Sequence, residues 1–286
     1  MKESKFTKEF LKVFDKLCYH HSKWQVWNDF LYLAAASMAN MVKTADWEER
    51  EKHYLEIMNR YPGEEGIMFP ELLGIVILAL DENPEQDFLG TLYHHLRLEQ
   101  QQKGQFFTPY HVCHFMAEIQ MASMDPEEEK EKKPFISVND PACGAGAMLI
   151  AFANVAKAHG LDYQREVLFV AQDIDRTAAL MCYIQLALLG CSAVIIVGNS
   201  LEKPGFHPDN QIWYTPFFYL NYWRFKSFFE DNGEKEGICT EAARAVVREE
   251  VQKYVKEADV EIKKEELQKY LEESCGQFVF DFKEAI

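Results

Sequence analysis

A glycine-rich turn lies between two apolar runs near the middle of the 286-residue chain. It spans residues 140–146 and consists of Asp-Pro-Ala-Cys-Gly-Ala-Gly. Residues 135–139 before it have the composition of a short buried strand, and residues 147–158 after it that of an apolar helix. Glycines at such a turn let the backbone bend sharply and bring helix N–H groups close to a ligand. The sequence therefore predicts a strand–turn–helix unit with a ligand site at the turn.

The same alternation continues downstream. Residues 166–171 have the composition of a second buried strand, residues 177–189 that of a second helix, and residues 193–197 that of a third strand. Strands and helices that alternate with short turns are typical of a parallel sheet with crossover helices. We therefore expect an α/β fold.

Composition divides the chain into three parts. Residues 1–102 have apolar side chains at helical spacing, which predicts an N-terminal helical domain. Residues 103–230 contain the strand–helix alternation, and residues 231–286 are predicted to form a C-terminal helical segment. Within that segment, residues 241–273 have an amphipathic pattern that suits packing on its own domain or docking to a partner. The charge run at 125–133 predicts a solvated loop, with a short exposed helix as the alternative.

The turn differs from two common nucleotide-binding loops. It lacks the spaced three-glycine pattern of dinucleotide sites and the Lys-Ser/Thr pair of a P-loop. It therefore favours a ligand without a polyphosphate, whose amino-acid end meets Asp140 and the loop backbone. Asp173 comes first off the end of the second strand, where a carboxylate is placed to accept both hydroxyls of a ribose. Asp175 is expected to cap the helix that begins near Arg176.

Three motifs, in this order, resemble those of N6-adenine DNA methyltransferases. They are Gln105-Phe106-Phe107-Thr108-Pro109, the turn at 140–146, and Gln172-Asp173-Ile174-Asp175. The resemblance is closest to the modification (M) subunits of type I restriction–modification systems. It implies an S-adenosylmethionine-dependent methyltransferase fold, a Rossmann-like doubly wound sheet, with an N-terminal helical domain. It also implies S-adenosylmethionine as cofactor and adenine in DNA as substrate.

The resemblance implies roles for individual positions. The methionine end of the cofactor would be lined by Phe106, Phe107, Thr108 and Pro109. The floor under it would be formed by Asp140, Ala142, Gly144 and Gly146. Asp173 would hold the ribose, and Ile174 would lie against the adenine ring. Asn199 stands where the family has an Asp, and an amide oxygen still accepts a hydrogen bond from the cofactor's amine.

The catalytic tetrad of that family is not intact. The family carries Asn/Asp-Pro-Pro-Tyr/Phe at the end of the fourth strand, where it orients the amine of the target adenine and stacks the flipped base. No Asn-Pro-Pro or Asp-Pro-Pro occurs in this sequence. The best candidate is Tyr214-Thr215-Pro216-Phe217, which predicts catalytic positions at Tyr214, Pro216 and Phe217. The aromatic segment 213–229 suits a base-stacking surface or a strand and helix that fill the core.

Two hypotheses from different classes follow. One is an active enzyme that transfers a methyl group to adenine N6 in DNA with the help of a specificity partner. The other is a catalytically inactive relative that keeps the cofactor fold as a structural or regulatory protein and binds the cofactor or a DNA complex. The three motifs favour the first hypothesis as a description of the ancestry of the chain. The degenerate tetrad favours the second hypothesis as a description of its present activity.

Net charge limits the partners. The formal net charge is −16, and acidic residues outnumber basic ones in 1–100, in 101–230 and in 231–286. Proteins that hold DNA alone usually carry a basic surface. We therefore expect contact with DNA to require a more basic partner, such as a specificity subunit, in a homo- or hetero-oligomer.

The remaining composition indicates a cytoplasmic protein without a metal site. No apolar run is long enough to cross a membrane, and the first residues do not resemble a signal peptide. Seven cysteines without paired spacing suit reduced thiols. The cluster of His111, Cys113 and His114 predicts no metal site, because a helix would point these side chains along different faces.

Overall fold

The N-terminal third of the chain is helical. A computed structural model of the protein describes residues 4–98, 107–132 and 134–231. Residues 4–98 form α1 (Lys5–Leu17), α2 (Lys23–Ala39), α3 (Trp47–Met58), α4 (Glu64–Glu82) and α5 (Phe88–His95). Helices occupy this part of the chain, as its apolar periodicity predicts.

Capping and aromatic packing account for these helices. Ser4, Ser22 and Asp87 are the N-caps of α1, α2 and α5, and the side chain of each accepts a hydrogen bond from an N–H of the first turn. Phe10 of α1 is fully buried and packs edge-on against Trp27 of α2, with the ring centroids 6.1 Å apart. Burial of such apolar faces, more than helix propensity, stabilises the helices.

Strands and helices alternate in the rest of the described chain. The helices are α6 (Tyr110–Ala122), α7 (Pro126–Lys132), α8 (Ala147–Ala158), α9 (Tyr163–Glu166), α10 (Arg176–Leu188) and α11 (Pro216–Asp231). The strands are β1 (Ile136–Asp140), β2 (Val167–Asp173), β3 (Ser192–Val197) and β4 (Gln211–Tyr214). The predicted alternation is confirmed, and α8 has the predicted bounds.

The charge run at 125–133 contains α7, so the prediction of a loop is wrong and the short helix is correct. Lys132 lies 3.0 Å from carboxylate oxygens of both Glu128 and Glu129. Opposite charges three and four residues apart lie on one helix face and stabilise it. The segment 241–273, for which an amphipathic helix is predicted, lies outside the described residues.

The four strands form one mixed sheet in the order β1-β2-β3-β4. β1, β2 and β3 are parallel, and β4 is antiparallel to β3. The crossover helices α8 and α10 contact each other and the parallel strands. Since right-handed crossovers that advance in one direction place their helices on the same face, α8 and α10 cover one face together. α11 contacts β3, and its Phe218 and Phe225 are fully buried.

The mixed α/β prediction is confirmed, but a doubly wound sheet is not what the described residues form. A doubly wound sheet needs strands on both sides of β1, reached by crossovers in opposite directions. In the described part of the chain β1 pairs with β2 alone, and the fourth strand is added beyond β3. The described sheet is therefore a β-α-β-α-β unit with one antiparallel edge strand.

The N-terminal helices share a core with the sheet region. α2 packs along α10, where Thr177 Oγ1 donates a hydrogen bond to Asn28 Oδ1 at 2.8 Å and the Arg176 guanidinium lies 4.9 Å from the Tyr32 ring centroid. The described residues all belong to one compact unit, Met1–Lys235. The predicted boundary near residue 102 therefore lies inside one compact unit and stays a prediction. None of the described helices is long and apolar enough to cross a membrane.

Candidate cofactor site

The carboxyl ends of β1, β2 and β3 lie side by side. β1 ends at Asp140, which pairs with Ala171 of β2, and β2 ends at Asp173, which pairs with Val197 of β3. Because the three strands are parallel, the segments after them leave from one edge of the sheet, the carboxyl edge. The glycine-rich turn, Asp173 and the loop from Gly198 all begin there. Ligands of open α/β sheets bind outside this edge.

Two glycines shape the turn between β1 and α8. Gly144 has φ +55° and Gly146 has φ +94°, both in the left-handed region that favours glycine. The Gly146 N–H donates to the Cys143 carbonyl (2.8 Å), and the Cys143 N–H donates to the Gln172 carbonyl in β2 (3.0 Å). Gly146 is the N-cap of α8. The first N–H groups of α8 therefore lie at the carboxyl edge, where they are available to a ligand.

Asp173 connects the second strand to this turn. Its Oδ2 accepts a hydrogen bond from the Gly144 N–H (2.9 Å), and its Oδ1 accepts one from the Asp175 N–H (2.8 Å). Each carboxylate oxygen has two lone pairs, so both keep the capacity to accept from ligand hydroxyls. Asp175 caps α10 by accepting from the Thr177 N–H (2.8 Å), which confirms that prediction.

Burial raises the pKa of both acids at this edge. For Asp173 burial is the largest cause, and the N–H groups of Asp175 and Gly144 partly oppose it. Burial likewise raises the pKa of Asp140, against a hydrogen bond from the Ala142 N–H (3.1 Å). Repulsion from Asp140 adds to the rise at Asp173. A positively charged ligand beside the two carboxylates would favour their ionised forms.

Phe107 covers the glycine-rich turn. A Cβ added to Gly144 would lie 3.0 Å from Cδ1 of the Phe107 ring, so the ring and the turn backbone are in close contact. The ring also packs against Tyr93 and His94 of α5, with centroid distances of 5.7 and 5.1 Å. The two residues after it, Thr108 and Pro109, are exposed at the start of α6. Phe106 lies outside the described residues.

Apolar side chains after β2 and β3 are exposed at the same edge. Ile174 is 68% exposed, and Leu201, in the loop that follows β3, is 94% exposed. Asn199 is half-buried, and its Oδ1 accepts a hydrogen bond from the Leu201 N–H at 3.1 Å. This oxygen, which is predicted to accept from a cofactor amine, therefore already accepts one hydrogen bond and has one lone pair left.

Gln172 organises this loop, a role that the sequence interpretation missed. Its Nε2 donates to the carbonyls of Gly198 (3.3 Å) and Lys203 (2.9 Å), and its Oε1 accepts from the Gly205 N–H (2.9 Å). The side chain is buried. The sequence does carry a signal for this role. Gln172 is a polar residue in an otherwise apolar strand, and buried amides need hydrogen-bond partners.

The family of the chain follows from a match to a family model. The model is described as N-6 DNA Methylase, and it matches residues 85–266, more than half of the 286 residues. The chain belongs to the N-6 DNA methylase family. Proteins of this family generally depend on S-adenosylmethionine. No curated protein matches the chain.

The candidate tetrad residues do not lie at the carboxyl edge. β4 runs antiparallel to β3, and Tyr214 pairs with Val194 near the beginning of β3. The Thr215 N–H donates to the Ala193 carbonyl, and the Ser192 hydroxyl donates to the Phe217 carbonyl. Tyr214, Pro216 and Phe217 therefore lie where the parallel strands begin, at the amino edge. The physical reason is the direction of β4, whose carboxyl end meets the start of β3.

The other predicted site residues in the described ranges fall into two groups. Gly144 contacts both Asp173 and Phe107, and Asp140, Ala142 and Gly146 belong to the same turn. Ile174, Asn199, Thr108 and Pro109 lie in segments that begin at or next to this edge. In α6, Cys113 is buried while His111 is exposed, so the residues of that cluster lie on different faces. In the described ranges no group of three or more His, Cys, Asp or Glu side chains is arranged to hold a metal ion.

Proposed function

We propose that the protein binds S-adenosylmethionine at the carboxyl edge and acts as a DNA adenine methyltransferase-like protein of the type I modification-subunit kind. The observation that supports this most is the hydrogen bond from the Gly144 N–H to Asp173 Oδ2. It joins two motifs that are 29 residues apart in the chain. A turn with left-handed glycines and a strand-end carboxylate thus form one surface, as a nucleoside site requires.

The residues at this edge fit that cofactor. The free lone pairs of Asp173 would accept from the ribose hydroxyls, and the exposed side chain of Ile174 would lie against the adenine ring. Asp140 and the turn backbone would hold the amino-acid end. S-adenosylmethionine supplies a methyl group carried on a positively charged sulfur. Two carboxylates at the site favour such a cation and disfavour a polyphosphate.

A specific observation favours the second hypothesis for the isolated chain, namely cofactor binding without methyl transfer. The sequence contains no Asn/Asp-Pro-Pro tetrad, and Tyr214 and Phe217 belong to the amino edge. Loss of an oriented hydrogen-bonding group in a preorganised site commonly costs about 10²-fold or more in rate. We therefore propose that the acceptor for the adenine amine is not supplied by β4.

Contact with DNA is proposed to involve a partner. The net charge of −16 opposes association with a polyanion, since non-specific affinity for DNA comes from lysine and arginine contacts with phosphates. A more basic protein, such as a specificity subunit, would supply those contacts. The assembly would then be a hetero-oligomer.

Calorimetric titration with S-adenosylmethionine tests the cofactor proposal. We expect micromolar-range binding by the wild type and at least about tenfold weaker binding by Asp173→Ala, about 1.4 kcal/mol, because the ribose hydroxyls lose their acceptor. Asp162→Ala is the matched control, because Asp162 is an exposed carboxylate beside the amino edge. Absence of binding by the wild type, or equal weakening by both substitutions, contradicts the proposal.

A second experiment separates the two hypotheses. The isolated chain is incubated with adenine-containing duplex DNA and S-adenosylmethionine that carries a tritiated methyl group. We expect the cofactor to bind and little or no tritium to enter the DNA. Robust incorporation would show that the chain is an active enzyme and that its acceptor lies outside the family's tetrad.

A further inference from the structure

Gln185 of α10 connects three separate parts of the structure. Its side chain is fully buried. Nε2 donates to Asp87 Oδ1, the N-cap of α5, at 2.8 Å, and to the Ala145 carbonyl in the glycine-rich turn at 2.9 Å. Oε1 accepts from the Leu89 N–H of α5 at 3.1 Å. A single amide thus joins α5, α10 and the turn.

The bond to Ala145 fixes the orientation of one peptide unit in the turn. A peptide unit is planar, so its C=O and N–H point in opposite directions. The Ala145 carbonyl accepts from Gln185, and the Gly146 N–H of the same unit donates to the Cys143 carbonyl. Both ends of this unit are therefore held. Since Ala145 lies between two left-handed glycines, this unit decides how the turn presents its backbone.

Helix α5 supports the turn at a second point. Phe107 packs on Tyr93 and His94 of α5 and also lies against Gly144. Gly144 in turn donates its N–H to Asp173. The turn is thus contacted at Gly144 by Phe107 and at the Ala145 carbonyl by Gln185.

We infer that Gln185 is a positioning residue for the cofactor site, which holds the Ala145 carbonyl so that the turn keeps the backbone conformation in which it meets Asp173. The inference rests on the proposed function. Gln185 reaches the ligand through the turn and does not itself contact it. The site suits an amide side chain, because an NH2 group offers two donors, for Asp87 and Ala145, and the amide oxygen accepts from the Leu89 N–H.

The test uses two variants that share one lost bond. Gln185→Met keeps the length and flexibility of the side chain but removes its hydrogen bonds to Asp87, Leu89 and Ala145. Asp87→Ser keeps a helix-capping side chain on α5 and removes the bond to Gln185, while Gln185 still donates to Ala145. Both variants should lose stability, so stability alone does not separate them. Gln185→Leu serves as a second variant if Gln185→Met does not fold, because it also removes the three hydrogen bonds and places no charge beside the buried Asp87 carboxylate.

Two readouts are measured, amide hydrogen exchange in residues 140–147 and S-adenosylmethionine affinity by calorimetry. We expect Gln185→Met to speed exchange in the turn at least tenfold and to weaken the affinity at least tenfold. Asp87→Ser should change both by less than threefold. Three outcomes would overturn the inference: equal effects of the two variants, wild-type exchange in Gln185→Met, or failure of both Gln185 variants to fold. Each of these outcomes would mean that Gln185 has a purely structural role.

The two proposals fail in different ways. If the wild type does not bind S-adenosylmethionine, the proposed function is wrong. The exchange of the turn amides then still decides whether Gln185 holds the turn, since that measurement needs no ligand.

Discussion

The two edges of the parallel strands use polar side chains in opposite ways. At the carboxyl edge Asp173 accepts two backbone N–H groups and still keeps free lone pairs, and Ile174 beside it is largely exposed. At the amino edge the fully buried Thr215 hydroxyl accepts from the Ala193 N–H (2.9 Å) and donates to the Cys191 carbonyl (2.7 Å). The first arrangement has capacity left for a ligand, whereas the second uses its donor and acceptor within the fold.

The edge at which a strand-end motif lies depends on the direction of its strand. Tyr214-Thr215-Pro216-Phe217 follows a strand, as a catalytic tetrad does in the family. β4 is antiparallel to β3, and so its end lies at the amino edge. Its neighbours Trp213 and Phe218 are buried, so of the two interpretations of the aromatic segment the core-filling one agrees with its described part. Which groups the residues at the end of a strand can contact therefore depends on the edge of the sheet at which that end lies.

The largest expected effect at the carboxyl edge comes from Gly146→Ala. A Cβ at this position would lie 2.9 Å from Cys182 Sγ and would force a left-handed φ of +94° on alanine. We expect a loss of about 2 to 5 kcal/mol of unfolding free energy, from left-handed strain plus overpacking. Gly160→Ala is the control, since its φ is +82° but no atom lies within 4 Å of the added Cβ. Chemical denaturation checks both, and equal losses would show that the close approach to α10 is unimportant.

Thr215→Val tests the amino edge. The substitution keeps the shape and removes a buried hydroxyl, which leaves the Ala193 N–H without its side-chain acceptor. We expect about 1 to 3 kcal/mol of lost stability and unchanged S-adenosylmethionine affinity at a temperature where the variant is folded. Denaturation and calorimetry give the two values. A variant that is stable but binds the cofactor weakly would contradict the assignment of cofactor binding to the carboxyl edge.

The pH dependence of cofactor binding tests the two carboxylates at the carboxyl edge. Burial raises the pKa of Asp173 and Asp140, and the positively charged cofactor prefers their ionised forms. Affinity should therefore be full well above the raised pKa values and fall as the pH drops through them, earlier than for an ordinary aspartate. Calorimetry over a descending pH series should show the affinity falling at a higher pH than the ordinary pKa of aspartate predicts. Asp173→Asn should bind more weakly with a flatter profile, and an equally steep profile would assign the titration to another group.

Tyr214→Phe should have the smallest effect. The substitution removes only the hydroxyl of a side chain at the amino edge. We expect less than a twofold change in S-adenosylmethionine affinity and no change in any residual methyl transfer to DNA. Tritium transfer that is present in the wild type and lost in Tyr214→Phe would restore the tetrad interpretation.

Short-range signals in the sequence predicted much of the fold and the local geometry of the glycine-rich turn. The turn glycines, the cap at Asp175 and the bounds of α8 each depend on a few consecutive residues, and all three agree with the structure. The proximity of Asp173 to the turn follows from parallel strands, because their carboxyl ends share an edge. These features required no knowledge of distant contacts.

The tertiary structure alone decided where β4 joins the sheet and which side chains brace the turn. Strand order depends on packing between segments far apart in the chain, and the four-residue β4 carries no local signal for its neighbour. Gln185 and Asp87 are 98 residues apart, so their hydrogen bond is invisible to any local pattern. The sequence by itself determined the family motifs and the local shape of the turn, because bends, caps and apolar periods are set by neighbouring residues. Only the folded chain decided which edge each motif occupies, because that depends on long-range burial and hydrogen bonding.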